Sequence, residues 1–101
     1  MSVCILFNKN IIIKDYVTLN LACTIGHDTL LEDFVSLMPA VNVSGDVVLE
    51  EAVYVGTGAK IINQVKVGKN TTIGAGAVVS KSITENCIAV GIPAKPIKFH
   101  S

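Results

Sequence analysis

The sequence predicts an all-β chain wound as a solenoid of short parallel strands and tight corners. Three observations lead there. Counted in sixes from Ile13, the positions 13, 19, 25, 31, 37, 43, 49, 55, 61, 67, 73 and 79 are all Ile, Leu or Val. The residue two places before each next anchor, from Val17 and Cys23 through Ala77 to Ile83, is always small or β-branched. Gly, Asn, Asp and Glu gather just after the anchors, as in Ile25-Gly26, Val55-Gly56, Val67-Gly68 and Ile73-Gly74. A fixed internal period takes precedence over local propensity because it marks a repeat architecture.

A period of six fits neither an amphipathic helix nor a half-buried strand. It fits a strand and a corner, repeated, with three such hexads closing one triangular coil. Each anchor then points inward and stacks on the third anchor after it. The small inward residue lets the three walls approach. Gly and Asn after the anchor suit corners that need left-handed backbone. The run makes four coils, 13–30, 31–48, 49–66 and 67–84, and up to five with the ends.

The ends break the pattern. Residues 1–12 are apolar but out of phase, with the large Phe7 in the preceding anchor place. They are expected to form a partial coil that caps the open end, since a bare solenoid end exposes strand edges and apolar surface. Residues 13–90 form the β-helix domain, closing on the strand Cys87-Ile-Ala-Val90. Residues 91–101 are a tail that leaves the prism, because Pro93 and Pro96 have no N–H for a ladder.

Composition excludes several classes. The chain of 101 residues has room for one domain. The apolar fraction is 50%, yet no apolar run approaches the roughly 18 residues that span a membrane. Val3–Phe7 is too short for a secretory segment. Net charge is zero with the signs mixed, so no basic stripe points to nucleic acid. Three cysteines at positions 4, 23 and 87 have neither metal nor redox spacing, and the cytoplasm is the expected compartment. No metal is expected: a zinc site of three histidines is out of reach with only His27 and His100. The outward positions mix Lys, Glu, Asn and Asp, unlike the regular Thr array of an ice-binding face.

His27, two places after an anchor, projects outward from a corner. An outward His is usually only solvated, but its surroundings carry a longer pattern. Asn20, His27-Asp28, Glu32-Asp33-Phe34-Val35, Pro39 and Ser44-Gly45 fall in one run, followed by Val55-Gly-Thr-Gly-Ala59, Ile73-Gly-Ala-Gly-Ala77 and Ala89-Val-Gly-Ile-Pro-Ala-Lys95. This run resembles the hexapeptide-repeat acyltransferases. It is most similar to their sialic-acid O-acetyltransferase and bacillosamine-pathway sugar N-acetyltransferase group, and the likeness covers about Ile13 to Lys98.

The resemblance implies a left-handed parallel β-helix, where crossovers are otherwise right-handed. It implies transfer of an acetyl group from acetyl-CoA to an amine or hydroxyl of a sugar-like or other small acceptor. His27 would be the general base and Asp28 its orienting partner, since imidazole titrates near neutrality and a carboxylate can hold its tautomer. Gly45, one coil after His27, would bring a backbone N–H to the oxyanion. Asn20 would face the acceptor. Ser36, Thr57, Ala75 and Lys81 would fall on the CoA path, with Lys95 and Lys98 of the tail near its phosphates. Ser36 stands where some relatives have a second His. The assembly implied is a homotrimer. Relatives usually carry an N-terminal nucleotide-sugar domain, and no βαβ segment with a Gly-rich fingerprint is present here. The competing reading is a non-catalytic β-helical module that keeps the fold without turnover.

Overall fold

The structure is a computed structural model describing residues 5–6 and 10–100. Among them every regular element is a strand. The first thirteen strands have two residues each, beginning with β1 (Ile5–Leu6), β2 (Ile12–Ile13), β3 (Thr18–Leu19) and β4 (Thr24–Ile25) and ending with β12 (Thr72–Ile73) and β13 (Val78–Val79). From β2 onward these begin at every sixth position. β14 (Cys87–Val90) and β15 (Lys95–Phe99) are longer.

Three parallel sheets form the faces of a prism. The first face stacks β1, β4, β7 (Asn42–Val43), β10 (Lys60–Ile61) and β13. The second stacks β2, β5 (Leu30–Leu31), β8 (Val48–Leu49) and β11 (Lys66–Val67). The third stacks β3, β6 (Ser36–Leu37), β9 (Tyr54–Val55), β12 and then β14 and β15. From β2 to β13 each residue pairs with its equivalent one full coil away, as in Ile25 with Val43 and Leu31 with Leu49. Ladder hydrogen bonds repeat with that step: the N–H of Thr24 donates to Val41 O at 3.0 Å and that of Gly26 to Val43 O at 2.7 Å.

The period-six anchors fill the axis. Ile25, Leu31, Leu37, Leu49, Val55, Ile61, Val67, Ile73 and Val79 are fully buried, with Cys23, Val35, Val41, Val47, Val53 and Ala59 beside them. Among the described residues the two buried polar side chains, Thr29 and Thr71, donate to the carbonyls of Ser44 at 3.3 Å and Thr84 at 2.8 Å. A hydroxyl so paired is tolerated in a core. The first anchors differ. Ile13 is exposed and Leu19 half-buried, because β2 and β3 end their sheets and no described strand lies below them.

Corner chemistry departs from expectation in one respect. The left-handed residue is the third after the anchor: Tyr16, Ala22, Asp28, Phe34, Ala40, Asp46, Ala52, Gln64 and Asn70 have φ between 54° and 64°, and Gly58 and Gly76 share the place. The glycines immediately after anchors do not have positive φ. They admit the neighbouring coil instead: a Cβ on Gly26 would lie 2.6 Å from the nitrogen of Gly45.

Both ends deviate. Leu6 pairs with Ile25, one position further along the chain than the regular step, so the first coil carries an extra residue. The expected capping role of 1–12, with Phe7 at its anchor place, falls largely outside the described residues. At the other end, residues 91–100 do not leave the prism as the two prolines suggested. β15 returns antiparallel along β14, with a register shift at Ile88/Ala89 where Pro96 pairs. An outer strand at a bulge tolerates a proline that lacks an N–H. The peptide bond Ile92–Pro93 is cis in the connecting turn.

Candidate active site

Each coil has three corners. Residues 26–29, 44–47 and 62–65 form the corner between the first and second faces, called here the His27 corner. Residues 20–23, 38–41, 56–59 and 74–77 form the corner between the third and first faces, the Asn20 corner.

At the His27 corner the chain builds a compact polar cluster. His27 follows Gly26, so its side chain leaves the prism, with 57% of it exposed. Asp28 takes the left-handed position at φ 54°. Asp tolerates that backbone shape better than most residues. The turn brings its Oδ2 to 3.0 Å from His27 Nδ1. An ionised carboxylate only accepts, so the imidazole donates from Nδ1 and keeps its lone pair on Nε2. The ring lies against the next coil: a Cβ on Gly45 would meet Nε2 at 2.7 Å and Cε1 at 2.8 Å. His27 O accepts from the N–H of Asp46 at 2.9 Å, which locks the two coils together here. The N–H of Gly45 has no hydrogen-bond partner among the described residues.

Two further residues join the cluster that the sequence reading did not single out. Asp46 stands one coil above Asp28, and one ligand atom each from His27, Asp28 and Asp46 lie within 4.8 Å of one another. Asn10 stands one coil below Asp28 and donates to its Oδ1 at 3.0 Å. Both could have been found by carrying the coil step from Asp28 instead of from His27 alone.

The remaining expected site residues lie elsewhere on the single chain. Lys81 is exposed in the His27 column, three coils up. Asn20, Thr57 and Ala75 share the Asn20 corner, at the opposite end of the first face. Asn20 is half-buried and its Nδ2 donates to Leu37 O at 3.0 Å, which leaves its Oδ1 as the group able to meet a ligand. Thr57 and Ala75 are exposed. Ser36 lies on the outer side of the third face, paired with Thr18 and Tyr54. One chain thus gathers His27, Asp28 and Gly45 but not the others. Among the described residues, two depressions lie away from His27, one lined by Lys14, Glu32, Asp33, Glu50, Glu51 and Lys69 and the other by Glu50, Lys66, Gly68 and residues 82–85.

With this geometry in hand, the likeness to known proteins is specific. Residues 46–81 match the family model described as bacterial transferase hexapeptide (six repeats), and the repeat brings with it the left hand of the coil. Among solved structures, the acetyltransferase domain of PglB from Neisseria gonorrhoeae FA1090 is 37% identical, with a TM-score of 0.90 over 93% of this chain and 45% of that one. Another structure of that domain is a complex with acetyl coenzyme A. WeeI from Acinetobacter baumannii AYE is 31% identical, with a TM-score of 0.87 over 93% of this chain and 48% of that one. A serine acetyltransferase in complex with CoA is 29% identical, with a TM-score of 0.82 over 86% of this chain and 39% of that one. The chain therefore spans less than half the length of these three. Among curated protein sequences none matches. The chain is a hexapeptide-repeat left-handed β-helix of the kind on which these acetyltransferases are built. Among the described residues no helix is long and apolar enough to cross a membrane.

Proposed function

We propose that this chain is an acetyl-CoA-dependent acetyltransferase acting on an amine or hydroxyl of a small, sugar-like acceptor. The observation that carries the reading is the oriented pair: Asp28 accepts from His27 Nδ1 at 3.0 Å while Nε2 faces Gly45. A general base needs its free nitrogen held toward the reacting group.

The steps follow from that arrangement. His27 Nε2 takes the proton as the acceptor nitrogen or oxygen attacks the thioester carbonyl carbon. Asp28, with Asp46 nearby, stabilises the imidazolium so formed. The Gly45 N–H donates to the oxyanion of the tetrahedral intermediate. As the C–S bond breaks, the imidazolium returns its proton to the leaving thiolate. With no side chain at Gly45 the His27 ring can lie against that backbone, so that a thioester carbonyl can come within reach of both.

The site is complete only with a second copy. In a three-fold ring each interface is heterologous, so the His27 corner of one protomer can meet the Asn20 corner of its neighbour. Asn20 Oδ1 would then face the acceptor, and Ser36, Thr57, Ala75 and Lys81 would line the path of CoA. Cys23 and Cys87 are buried free thiols, in keeping with a cytoplasmic protein.

The test is thiol release from acetyl-CoA against a panel of amino-sugars, amino acids and aminoglycosides, run on the parent and His27→Ala. Loss of release in the variant, with CoA binding retained, supports the reading. Release from neither protein on any acceptor would leave a non-catalytic β-helical module.

A further inference from the structure

Along each corner the left-handed positions form a column that repeats once per coil. At the Asn20 corner that column reads Ala22, Ala40, Gly58, Gly76, with no polar side chain. At the His27 corner it reads Asn10, Asp28, Asp46, Gln64, polar throughout. The coil step therefore stacks two carboxylates, Asp28 and Asp46, beside one imidazole.

We propose that His27, Asp28 and Asp46 together bind a divalent transition ion of the Zn²⁺ class, and that this ion inhibits the transferase by taking the place of the Nδ1 proton of His27. It is an inhibitor and not a cofactor of the reaction. Binding depends on three side chains alone. The inhibition rests on the reading of His27 as the base.

The geometry suits such an ion. One ligand atom each from His27, Asp28 and Asp46 lie within 4.8 Å of one another, contributed by two successive coils. His27 Nδ1 and Asp28 Oδ2 are 3.0 Å apart. Two bonds of zinc length at a tetrahedral angle span about 3.3 Å, so an ion enters between these atoms with a shift of a few tenths of an ångström. Asp46 closes the third side by rotation: its carboxylate is exposed and accepts no hydrogen bond among the described residues. Asp28 can keep its other contacts, including the one from Asn10 Nδ2 at 3.0 Å, because each carboxylate oxygen has more than one lone pair. Water completes the coordination, as at zinc sites with three protein ligands.

The donor set selects the ion. One imidazole nitrogen with two carboxylate oxygens suits Zn²⁺, Ni²⁺ or Cu²⁺. Mg²⁺ prefers an octahedron of oxygens and gives up its water reluctantly. A metal on Nδ1 moves the ring proton to Nε2. The nitrogen facing Gly45 then has no lone pair with which to accept a proton from the acceptor.

The first measurement is calorimetry with zinc chloride on the whole chain, beside His27→Gln and Asp46→Asn. Asparagine tolerates the left-handed shape at position 46. One Zn²⁺ per chain should bind, at least tenfold tighter than Mg²⁺. Affinity should fall about tenfold or more in either variant. By NMR the ring signals of His27 should move with the first equivalent of Zn²⁺, before those of the exposed His100. Equal affinity in parent and both variants, or equal response of the two histidines, would mean adventitious surface binding only and would overturn the site.

The second measurement is turnover, followed by loss of thioester absorbance because the CoA thiol itself binds zinc. Zn²⁺ should inhibit in step with occupancy, and a chelator should restore the rate. Asp46→Asn should need about tenfold more Zn²⁺ for half-inhibition, measured against its own metal-free rate. An unchanged half-inhibiting concentration would overturn the inhibition, as would full turnover at a saturated site while His27→Ala is inactive. Full turnover both at a saturated site and in His27→Ala would instead remove His27 as the base and leave the metal site standing on its calorimetry.

Discussion

The imidazole of His27 occupies the space that a side chain at position 45 would fill, with Nε2 only 2.7 Å from where a Cβ on Gly45 would stand. The fit arises from the coil itself: the two residues are one full turn apart, so they stack at the same corner. Gly45 is not in the left-handed region, so alanine there brings no backbone strain. Its methyl meets the far end of an exposed ring, which can swing away.

Gly45→Ala is therefore expected to separate stability from activity. Unfolding free energy should change by less than about 1 kcal/mol, as for surface substitutions. Turnover should fall by roughly 10²-fold or more, since both the ring and the oxyanion approach are disturbed. Thermal unfolding and thiol release on the same preparation check this. Full activity in the alanine variant would mean that neither the thioester nor the ring uses that space.

His27→Ala should lose roughly 10²–10⁴-fold in turnover, the range for general-base catalysis, while CoA affinity changes less than about tenfold. Asp28→Asn should lose less, because the ring keeps its place and loses only its charge support and part of its orientation. Both residues are exposed at a corner, so neither change should unfold the chain. Equal turnover in parent and His27→Ala would remove His27 from the mechanism.

Leu49 is fully buried between Leu31 and Val67 in the second-face stack. Leu49→Ala should cost roughly 2–5 kcal/mol through the cavity it leaves. Lys69, exposed at a corner, has its ammonium 3.9 Å from Glu85. A surface pair of that kind is worth about 0–1 kcal/mol, so Lys69→Ala should be nearly silent in chemical denaturation. Similar losses in both would mean that the anchor phase is misassigned.

What could be read from the sequence and what could not have the same source. Anchors at every sixth residue and the three-hexad coil are properties of the chain alone, so the inward positions and the contact of His27 with Gly45 followed from counting. The left-handed position three places after each anchor was not legible, because Tyr16, Phe34 and Ala40 adopt it against their propensity. The coil geometry imposes it through the hydrogen bonds of the neighbouring coils. Asn10 and Asp46 stand one coil either side of Asp28 and were within reach of the same counting, but the shared left-handed shape that brings Asn10 to Asp28 was not. β15 was missed because the prolines argue against a strand, and its pairing with β14 places Pro96 beside a bulge.

The last prediction concerns assembly. Small domains bury a modest share of their surface, and this prism leaves Leu21 and Ile62 exposed at the two corners that a ring would join. The chain should sediment as a trimer at micromolar concentration. The stronger test uses the split of the site. His27 and Asn20 lie at opposite ends of the first face, so a closed ring pairs the His27 corner of one chain with the Asn20 corner of the next. His27→Ala and Asn20→Ala should each be nearly inactive as pure trimers. Co-expressed in equal amounts, they should form mixed rings in which about one interface in four carries both intact residues. Turnover should then recover to about a quarter of the parent, whereas separately purified trimers mixed without exchange should stay inactive. No recovery on co-expression would place both residues in a site within one protomer, and an active Asn20→Ala trimer would remove Asn20 from it.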